Sequence, residues 1–420
     1  MIWETVQIKD VCKKVTSGGT PLTSKENYYF PRQIPWVKTK EVNYCRITDA
    51  ETYISQEGLE NSSAKLIPAN SVIVAMYGQG DTAGRVAINK IPIATNQACC
   101  NLIIDETKAD YRFIYYKLST LYKKLVSLKN GGAQPNLNAA IIKSLEIDIP
   151  SIEMQHSIAD ILSAYDDLIE NDQKQIKLLE EAAQRLYKEW FVDLRFLGYE
   201  NTPIIDGVPQ GWENLQLGEL IEYEIGGGWG EDQPTEKCNQ PAYVIRGTDL
   251  YDVTHGNAQS IPYRYHTQSN LKSRKLQDGD IVFEVSGGSK NEGVARTALI
   301  TESLIDFLGG DVICASFCKL IRFKDKSFAK YMYDTFQYLR NSGETVKYDK
   351  RSASSIVNYR WKDFLEQQFI LIPTIDVLTQ YNALAENMQK VIVNKAQIIE
   401  EAKEARDRLL PKLMSGEIEV

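Results

Sequence analysis

The chain has 420 residues, 43% of them hydrophobic and 25% charged, with a net charge of -8. That composition excludes fibrous and disordered classes and implies two or three globular domains. The acidic balance argues against indiscriminate polyanion binding, because gripping phosphates needs local lysine and arginine.

No apolar run is long enough to cross a bilayer. The start, MIWETVQIKD, lacks the basic residues and apolar core of a secretory signal, so a cytoplasmic location is expected. The seven cysteines (Cys12, Cys45, Cys99, Cys100, Cys238, Cys314, Cys318) are odd in number and form no C-x-x-C pair. They suggest buried free thiols rather than disulfides or zinc, and the three scattered histidines offer no metal site.

In chain order, the first 150 residues read as mixed α/β. Short apolar runs (SVIVAMYG, RVAI, CCNLII) bounded by Gly, Pro and Asn predict strands, and a helical stretch follows around Phe113–Leu128. Polar, glycine-rich loops sit beside these strands. Their candidate DNA-contacting residues are Ser17, Gly18, Gly19, Thr20, Lys38, Lys40, Tyr77, Gln79, Arg85, Lys129, Asn130 and Gln134. Such loops offer unhindered backbone N–H groups to phosphates and amide or basic side chains to base edges. Any one of them can equally be an ordinary turn.

After Pro150 the pattern becomes helical, to about Arg195. Ile158, Leu162, Tyr165, Ile169, Ile176, Leu179, Ala183, Leu186 and Trp190 recur at alternating steps of three and four, with one seven-residue jump across Asp172. This is a heptad seam. LGYENTPIIDGVPQGW (Leu197–Trp212) then has linker composition.

The second globular stretch repeats the first. VQIKDVCKKVTSGG (Val6–Gly19) resembles LQLGELIEYEIGGG (Leu215–Gly228) at an offset of 209. WVKTKEV (Trp36–Val42) resembles VIRGTDL (Val244–Leu250), and KLIPANSVIVAMYG (Lys65–Gly78) resembles KLQDGDIVFEVSGG (Lys275–Gly288). Candidate DNA contacts here are Trp229, Arg246, Thr248, Ser289, Lys290, Arg296, Lys347, Tyr348, Lys350 and Arg351, with KYDKRSAS the most basic stretch. A second long helix follows Pro373, with a predicted seam of Leu384, Met388, Val391, Ile398, Ala402, Ala405 and Leu409 and a jump across Lys395.

Residues 145–190 match residues 368–413 at an offset of 223, which makes Asp172 and Lys395 counterparts. The looser upstream offset implies roughly a dozen extra residues in the second copy. A polar seam position can fix coiled-coil register, or both residues can face solvent at a bend. Helices of roughly 40 residues, about 60 Å at 1.5 Å per residue, are not stable alone behind so narrow a stripe. Antiparallel pairing about a pseudo-two-fold axis is therefore expected, with the globular halves at opposite ends.

No phosphate loop, nucleophile elbow, H-E-x-x-H or amino-methyltransferase signature occurs, and GQGDTAG (Gly78–Gly84) has the wrong spacing for a dinucleotide loop. A binding component fits better than an enzyme, although a catalytic group assembled from distant residues leaves no local trace.

The chain resembles the specificity (S) subunit of Type I restriction–modification systems. The resemblance rests on W-x-x-V-x-I-x-D (Trp3–Asp10), V-T-S-G-G-T-P (Val15–Pro21), I-P-W-V-K (Ile34–Lys38) and T-N-Q-A (Thr95–Ala98). It continues through I-D-I-P-S-I-E-x-Q (Ile147–Gln155), I-A-D-I-L-S-x-x-D (Ile158–Asp166), W-F-V-D (Trp190–Asp193) and V-P-x-G-W (Val208–Trp212). The second helix departs, with two extra residues before Gln380 and no counterpart of Trp190-Phe191.

The resemblance implies an α/β (α+β) chain with two target-recognition domains, 1–150 and 212–372. Long antiparallel coiled-coil helices at 151–198 and 373–420 and a linker at 199–211 complete it. Each domain would read one part of a bipartite asymmetric site in double-stranded DNA, the helices setting the spacer. It further implies a non-catalytic chain in a prokaryotic cytoplasm, bound to two methyltransferase subunits and then restriction subunits. S-adenosylmethionine, ATP and magnesium would sit on those partners and no cofactor on this chain. A duplicated coiled-coil scaffold that binds proteins, without DNA specificity, is the alternative.

Overall fold

The computed structural model describes residues 3–420 apart from 79, 130–135, 288–292 and 352–355. The chain divides into two compact units, residues 1–168 with 402–420, and residues 169–401.

The first unit opens with β1 (Glu4–Gln7), which pairs antiparallel with β10 (Glu146–Ile149). Between them run β2 (Cys12–Ser17), β3 (Ile34–Val37), β4 (Arg46–Ile47), β5 (Tyr53–Ile54), β6 (Val72–Ala75), β7 (Val86–Asn89), β8 (Ala94–Thr95) and β9 (Cys99–Ile104). They form a five-stranded sheet, β2-β9-β6-β7-β4, and a three-stranded one, β5-β3-β8, in which β3 and β8 are parallel. Val72, Val74, Val86, Ile88, Cys100 and Leu102 of the larger sheet are buried with Phe113 and Ile114 of the helix Tyr111–Thr120. Continuous burial on β6 and β7 explains why these strands read as unbroken apolar runs rather than alternating ones.

In the second unit, the linker contains a hairpin of β11 (Ile204–Ile205) and β12 (Val208–Pro209). Asp206 and Gly207 at its turn both have positive φ, 50° and 81°, as a two-residue Asp-Gly hairpin turn requires. Next come β13 (Glu213–Gln216), β14 (Ile221–Gly226), β15 (Gln240–Ile245), β16 (Tyr263–His266), β17 (Ile281–Glu284), β18 (Ser286–Gly287), β19 (Thr297–Leu299) and β20 (Val312–Cys314). β21 (Cys318–Phe323), β22 (Asp349–Arg351), β23 (Val357–Tyr359) and β24 (Phe369–Ile372) complete it.

Its sheets, β14-β21-β17-β19 and β16-β15-β20, repeat the first unit's strand order without a counterpart of β4, including the parallel pair β15 and β20 and the closing pair β13 and β24, and a further sheet, β18-β23-β22, is added. Registers fix the alignment: Ala75 faces Cys99 as Glu284 faces Cys318, and Trp36 faces Ala94 as Val244 faces Ile313. The offset rises from 211 at β7 and β19 to 219 at β8 and β20. Most of the extra residues are thus one inserted helix, Glu302–Leu308.

The first long helix spans Ile152–Tyr187 and continues as a π turn over Lys188–Val192; the second spans Ile375–Ser415. Their antiparallel sense is fixed within each unit. In the first, Arg406 donates to Asp166 at 2.7 Å, and Ile158 and Leu162 share a core with Leu413. In the second, the Tyr187 and Tyr381 rings lie 6.4 Å apart and Lys395 Nζ donates to Asp172 Oδ1 at 2.9 Å.

The buried face of the second helix corrects the predicted seam. Tyr381, Ala385, Ile392, Ile399 and Ala402 are buried, whereas Leu384 and Val391 are 43% exposed and Ile398 is only half-buried. Met388, Ala402 and Leu409 stand. The seam runs 381, 385, 388, 392, 395, 399, 402, 406, 409, 413, each position 223 after its counterpart in the first helix. Adjacent apolar residues at Val391-Ile392-Val393 and Ile398-Ile399 hid the phase. The same register supplies the missing counterpart of Trp190-Phe191. Leu413 and Met414 occupy those positions and bury 1% and 2% exposed in the first unit's core. Trp190 and Phe191 plug the second unit's core, Phe191 lying 4.7 Å from both Tyr331 and Tyr381.

Asp172 and Lys395 occupy the seam itself, with side chains 4% and 19% exposed. Residues related by a two-fold meet their own counterparts only on the axis, so this ion pair marks the local axis of the helix pair. Asp172→Leu strands the ammonium in an apolar seam. We expect a loss of about 2 kcal/mol, below the usual figure for a fully buried pair because Lys395 keeps some solvent. Asp172→Lys with Lys395→Asp should recover that loss. Leucine at both positions should match or exceed the parent in stability while specifying register less tightly. Denaturant titration followed by helix ellipticity checks all three.

The second unit also carries a titratable clasp. His255 Nε2 lies 3.0 Å from Glu180 Oε1 of the first long helix, and Nδ1 lies 2.8 Å from the Tyr251 carbonyl. Burial pulls the imidazole pKa down, but the Glu180 carboxylate and that carbonyl prevail and hold it above 6.5. A raised folded-state pKa stabilises at low pH, and the contribution fades as pH rises through the folded value. Amide exchange in Leu250–Thr254 should therefore quicken from about pH 6 to about pH 8 beyond its intrinsic rise, and His255→Gln should abolish the excess.

Candidate nucleic-acid interface

In the first unit the end of β2 is pressed onto the turn between β8 and β9. Gly18 N donates to the Cys99 carbonyl at 3.3 Å and Gly19 N to the Thr95 carbonyl at 2.9 Å. A Cβ on Gly18 would lie 2.1 Å from the Thr95 oxygen, so only glycine permits this approach. Trp36 Nε1 holds the Gly19 carbonyl at 3.0 Å. Over this lock, Thr20 donates to the Gln97 side-chain oxygen, and the Tyr77 hydroxyl donates to the Gln97 carbonyl at 3.3 Å. Lys38 reaches Thr52 Oγ1 at 3.0 Å while lying 5.3 Å from the Trp36 ring centre. Lys65 donates to Thr16 Oγ1 at 2.8 Å and to the Ser17 carbonyl at 3.3 Å.

Ser17, Gly18, Gly19, Thr20, Lys38 and Tyr77, scattered in sequence, thus converge around one rigid turn. The group presents hydroxyl, amide and ammonium functions suited to base edges and phosphates.

The second unit builds the same lock. Gly227 N donates to the Cys318 carbonyl and Gly228 N to the Cys314 carbonyl, both at 2.9 Å, and a Cβ on Gly227 would sit 2.2 Å from the Cys314 and Ala315 oxygens. Met76 N bonds the Ala98 carbonyl at 2.8 Å, as Val285 N bonds that of Phe317 at 2.9 Å. Trp229 follows the lock, 41% exposed, with the Arg264 guanidinium 4.3 Å from its ring centre.

The remaining candidates lie elsewhere. Arg85 pairs with Asp81 at 2.6 Å and Asn43 at 2.8 Å, Arg246 forks onto Asp249 at 2.8 and 2.7 Å, and Arg296 forks onto the buried Glu284 at 2.8 and 2.6 Å. The adjoining carboxylates raise the Arg85 and Arg246 pKa further. These three arginines hold the units' own loops. Lys40 pairs with Glu51 on the surface. Lys129 is half-buried and Thr248 exposed.

Lys347, Lys350 and Arg351 are exposed, the last two on β22. Tyr348 is a correction: at 1% exposure it packs on Phe364 and Tyr359 in the core, its position beside exposed lysines having disguised it. Gln79, Asn130, Gln134, Ser289 and Lys290 lie outside the described residues.

Cys99, Cys100, Cys314 and Cys318 are buried thiols, burial pushing Cys100 and Cys314 up to about 12, while Cys12, Cys45 and Cys238 are half-buried. Among the described residues no cluster of His, Cys, Asp and Glu could hold a metal ion. The sequence reading missed Gln97, Arg264 and Phe317 as site residues. T-N-Q-A was legible as a motif, but only the glycine lock shows that its Gln97 side chain is presented outward.

A family model described as Type I restriction modification DNA specificity domain matches residues 2–181. Over 442 aligned residues the chain is 28% identical to the Type I restriction enzyme MjaIX specificity subunit of Methanocaldococcus jannaschii, covering 100% of this chain and 94% of that one. It is 29% identical to the EcoR124I/EcoR124II specificity subunit of Escherichia coli over 43% of this chain and 45% of that one. Among solved structures, the Type-I restriction-modification system S subunit from M. genitalium shares the fold, with a TM-score of 0.62 at 15% identity over 98% of this chain and 96% of that one. A specificity-domain match in the first half, a second copy of the same frame in the second half and full-length similarity to the M. jannaschii subunit agree: along its whole length the chain is similar to Type I restriction–modification specificity subunits.

Proposed function

We propose that this chain reads a bipartite, asymmetric site in double-stranded DNA and brings two methyltransferase subunits, then restriction subunits, to that site. The observation that carries the reading is the glycine-locked turn built twice on equivalent strands with different exposed side chains, Thr20 and Gln97 against Trp229 and Phe317. A repeated frame with divergent contacts suits two unlike half-sites. Near-equivalent helices, in a register of 223 at every seam position, suit two copies of one partner.

In this reading the chain serves as a specificity subunit, similar to the M. jannaschii protein along its length, and the chemistry is left to its partners. In this reading S-adenosylmethionine, ATP and magnesium belong to the partners, and the complex works in a prokaryotic cytoplasm. No helix among the described residues is long and apolar enough to cross a membrane.

The test maps N6-methyladenine in DNA from cells carrying this chain with its methyltransferase. Exchanging residues 1–150 for those of a relative should change one half-site and leave the other. Inserting one heptad at equivalent points of both long helices keeps the seam in phase and should change only the spacer. A scaffold without DNA specificity would leave the methylated sequence untouched by either edit, and that result would sink the proposal.

A further inference from the structure

Aligned by their backbone hydrogen bonds, the two glycine locks present different chemistry at equivalent points. Thr20 corresponds to Trp229, Gln97 to Ser316 and Ala98 to Phe317. In the first unit the exposed Thr20 and Gln97 are joined by a hydrogen bond, and Ala98 is 8% exposed. In the second, Trp229 and Phe317 flank the lock with rings 41% and 54% exposed. Large apolar side chains held outward on a stiff turn have a reason when an apolar surface meets them.

The main chain under Phe317 and the ring of Trp229 are fixed from behind. The Phe317 carbonyl accepts from Val285 N at 2.9 Å and Ser286 N at 3.2 Å. The guanidinium of Arg264, a residue 9% exposed, stacks on Trp229 and donates to the Trp229 carbonyl at 2.8 Å and the Gly230 carbonyl at 3.2 Å. The main chain that carries both side chains therefore needs no ordering on binding, which favours conversion of contact area into affinity.

We infer that the two halves read DNA by different chemistry, and that Phe317, supported by Trp229, is a specificity-determining residue that packs on thymine methyl groups in the second half-site. In duplex DNA the thymine C5-methyl is the apolar group displayed at a base-pair edge of the major groove. The first half, with its hydroxyl and amide, takes hydrogen bonds instead. This inference rests on the proposed DNA reading.

The test uses the whole chain bound to its methyltransferase, on duplexes of the mapped site in which the thymines of one half-site are replaced by deoxyuridine, which lacks only the methyl. Replacement in the second half-site should weaken binding about tenfold, and in the first should leave it within about twofold. Phe317→Ala should bind the parent site about tenfold more weakly and no longer distinguish thymine from deoxyuridine, with an unchanged melting temperature because the ring is outside the core. Trp229→Ala should weaken binding while keeping part of that discrimination.

A parent complex indifferent to deoxyuridine in the second half-site, a Phe317→Ala complex that still discriminates, or a second half-site without thymine would overturn the inference and leave the DNA reading standing. A parent complex that methylates no defined sequence would instead bring down the DNA reading itself.

Discussion

The ion pair between Asp172 and Lys395 is the constraint from which the rest of the helix arrangement follows. Ten seam positions on each helix keep the 3.5-residue repeat without a break, and this pair is the point where a residue meets its own counterpart. Isoleucines and alanines four residues along the seam would satisfy a slipped register nearly as well. A carboxylate and an ammonium would not, because a slip leaves each charge facing an apolar side chain.

Much of this was legible because two kinds of periodicity agreed. The repeat placed the helices, and heptad spacing gave the first seam correctly from Leu162 to Leu186. The second seam slipped by one residue at Val391 and Ile398, where neighbouring apolar residues made the local pattern ambiguous. The 223-residue register already held the answer, since it maps Ile169 onto Ile392 and Ile176 onto Ile399. Local hydrophobicity ranks candidate faces; a duplication decides between them. For the same reason Leu413-Met414 went unrecognised as the counterpart of Trp190-Phe191: the positions are equivalent and the residue types are not.

The interface was legible in its framework and not in its contacts. Paired glycines followed by a polar or aromatic residue announced a tight approach in both copies. The partner strand of that approach, some 80 residues away in each copy, has no local signature. Basic residues were the poorer guide. Arg85, Arg246 and Arg296 were attractive as phosphate ligands, yet each faces a carboxylate of its own unit, because a guanidinium left over a half-buried loop is best satisfied by a fork of acceptors. An acidic chain keeps its loops in shape this way, and in the proposed reading its grip on DNA then depends on partners for part of the electrostatic attraction.

The lock explains how one frame can serve unlike targets. Gly18 and Gly227 fix the backbone by close approach rather than by anything their neighbours' side chains do. Thr20 and Trp229, or Ala98 and Phe317, can therefore be exchanged without moving the main chain that carries them. The inserted helix Glu302–Leu308 illustrates the same tolerance: it enters between β19 and β20 and leaves the order and registers of the shared strands intact. Conserving the frame through backbone hydrogen bonds and confining variation to side chains above it lets the two halves diverge in what they recognise. The cores that receive Trp190-Phe191 and Leu413-Met414 meanwhile remain free to match the helices.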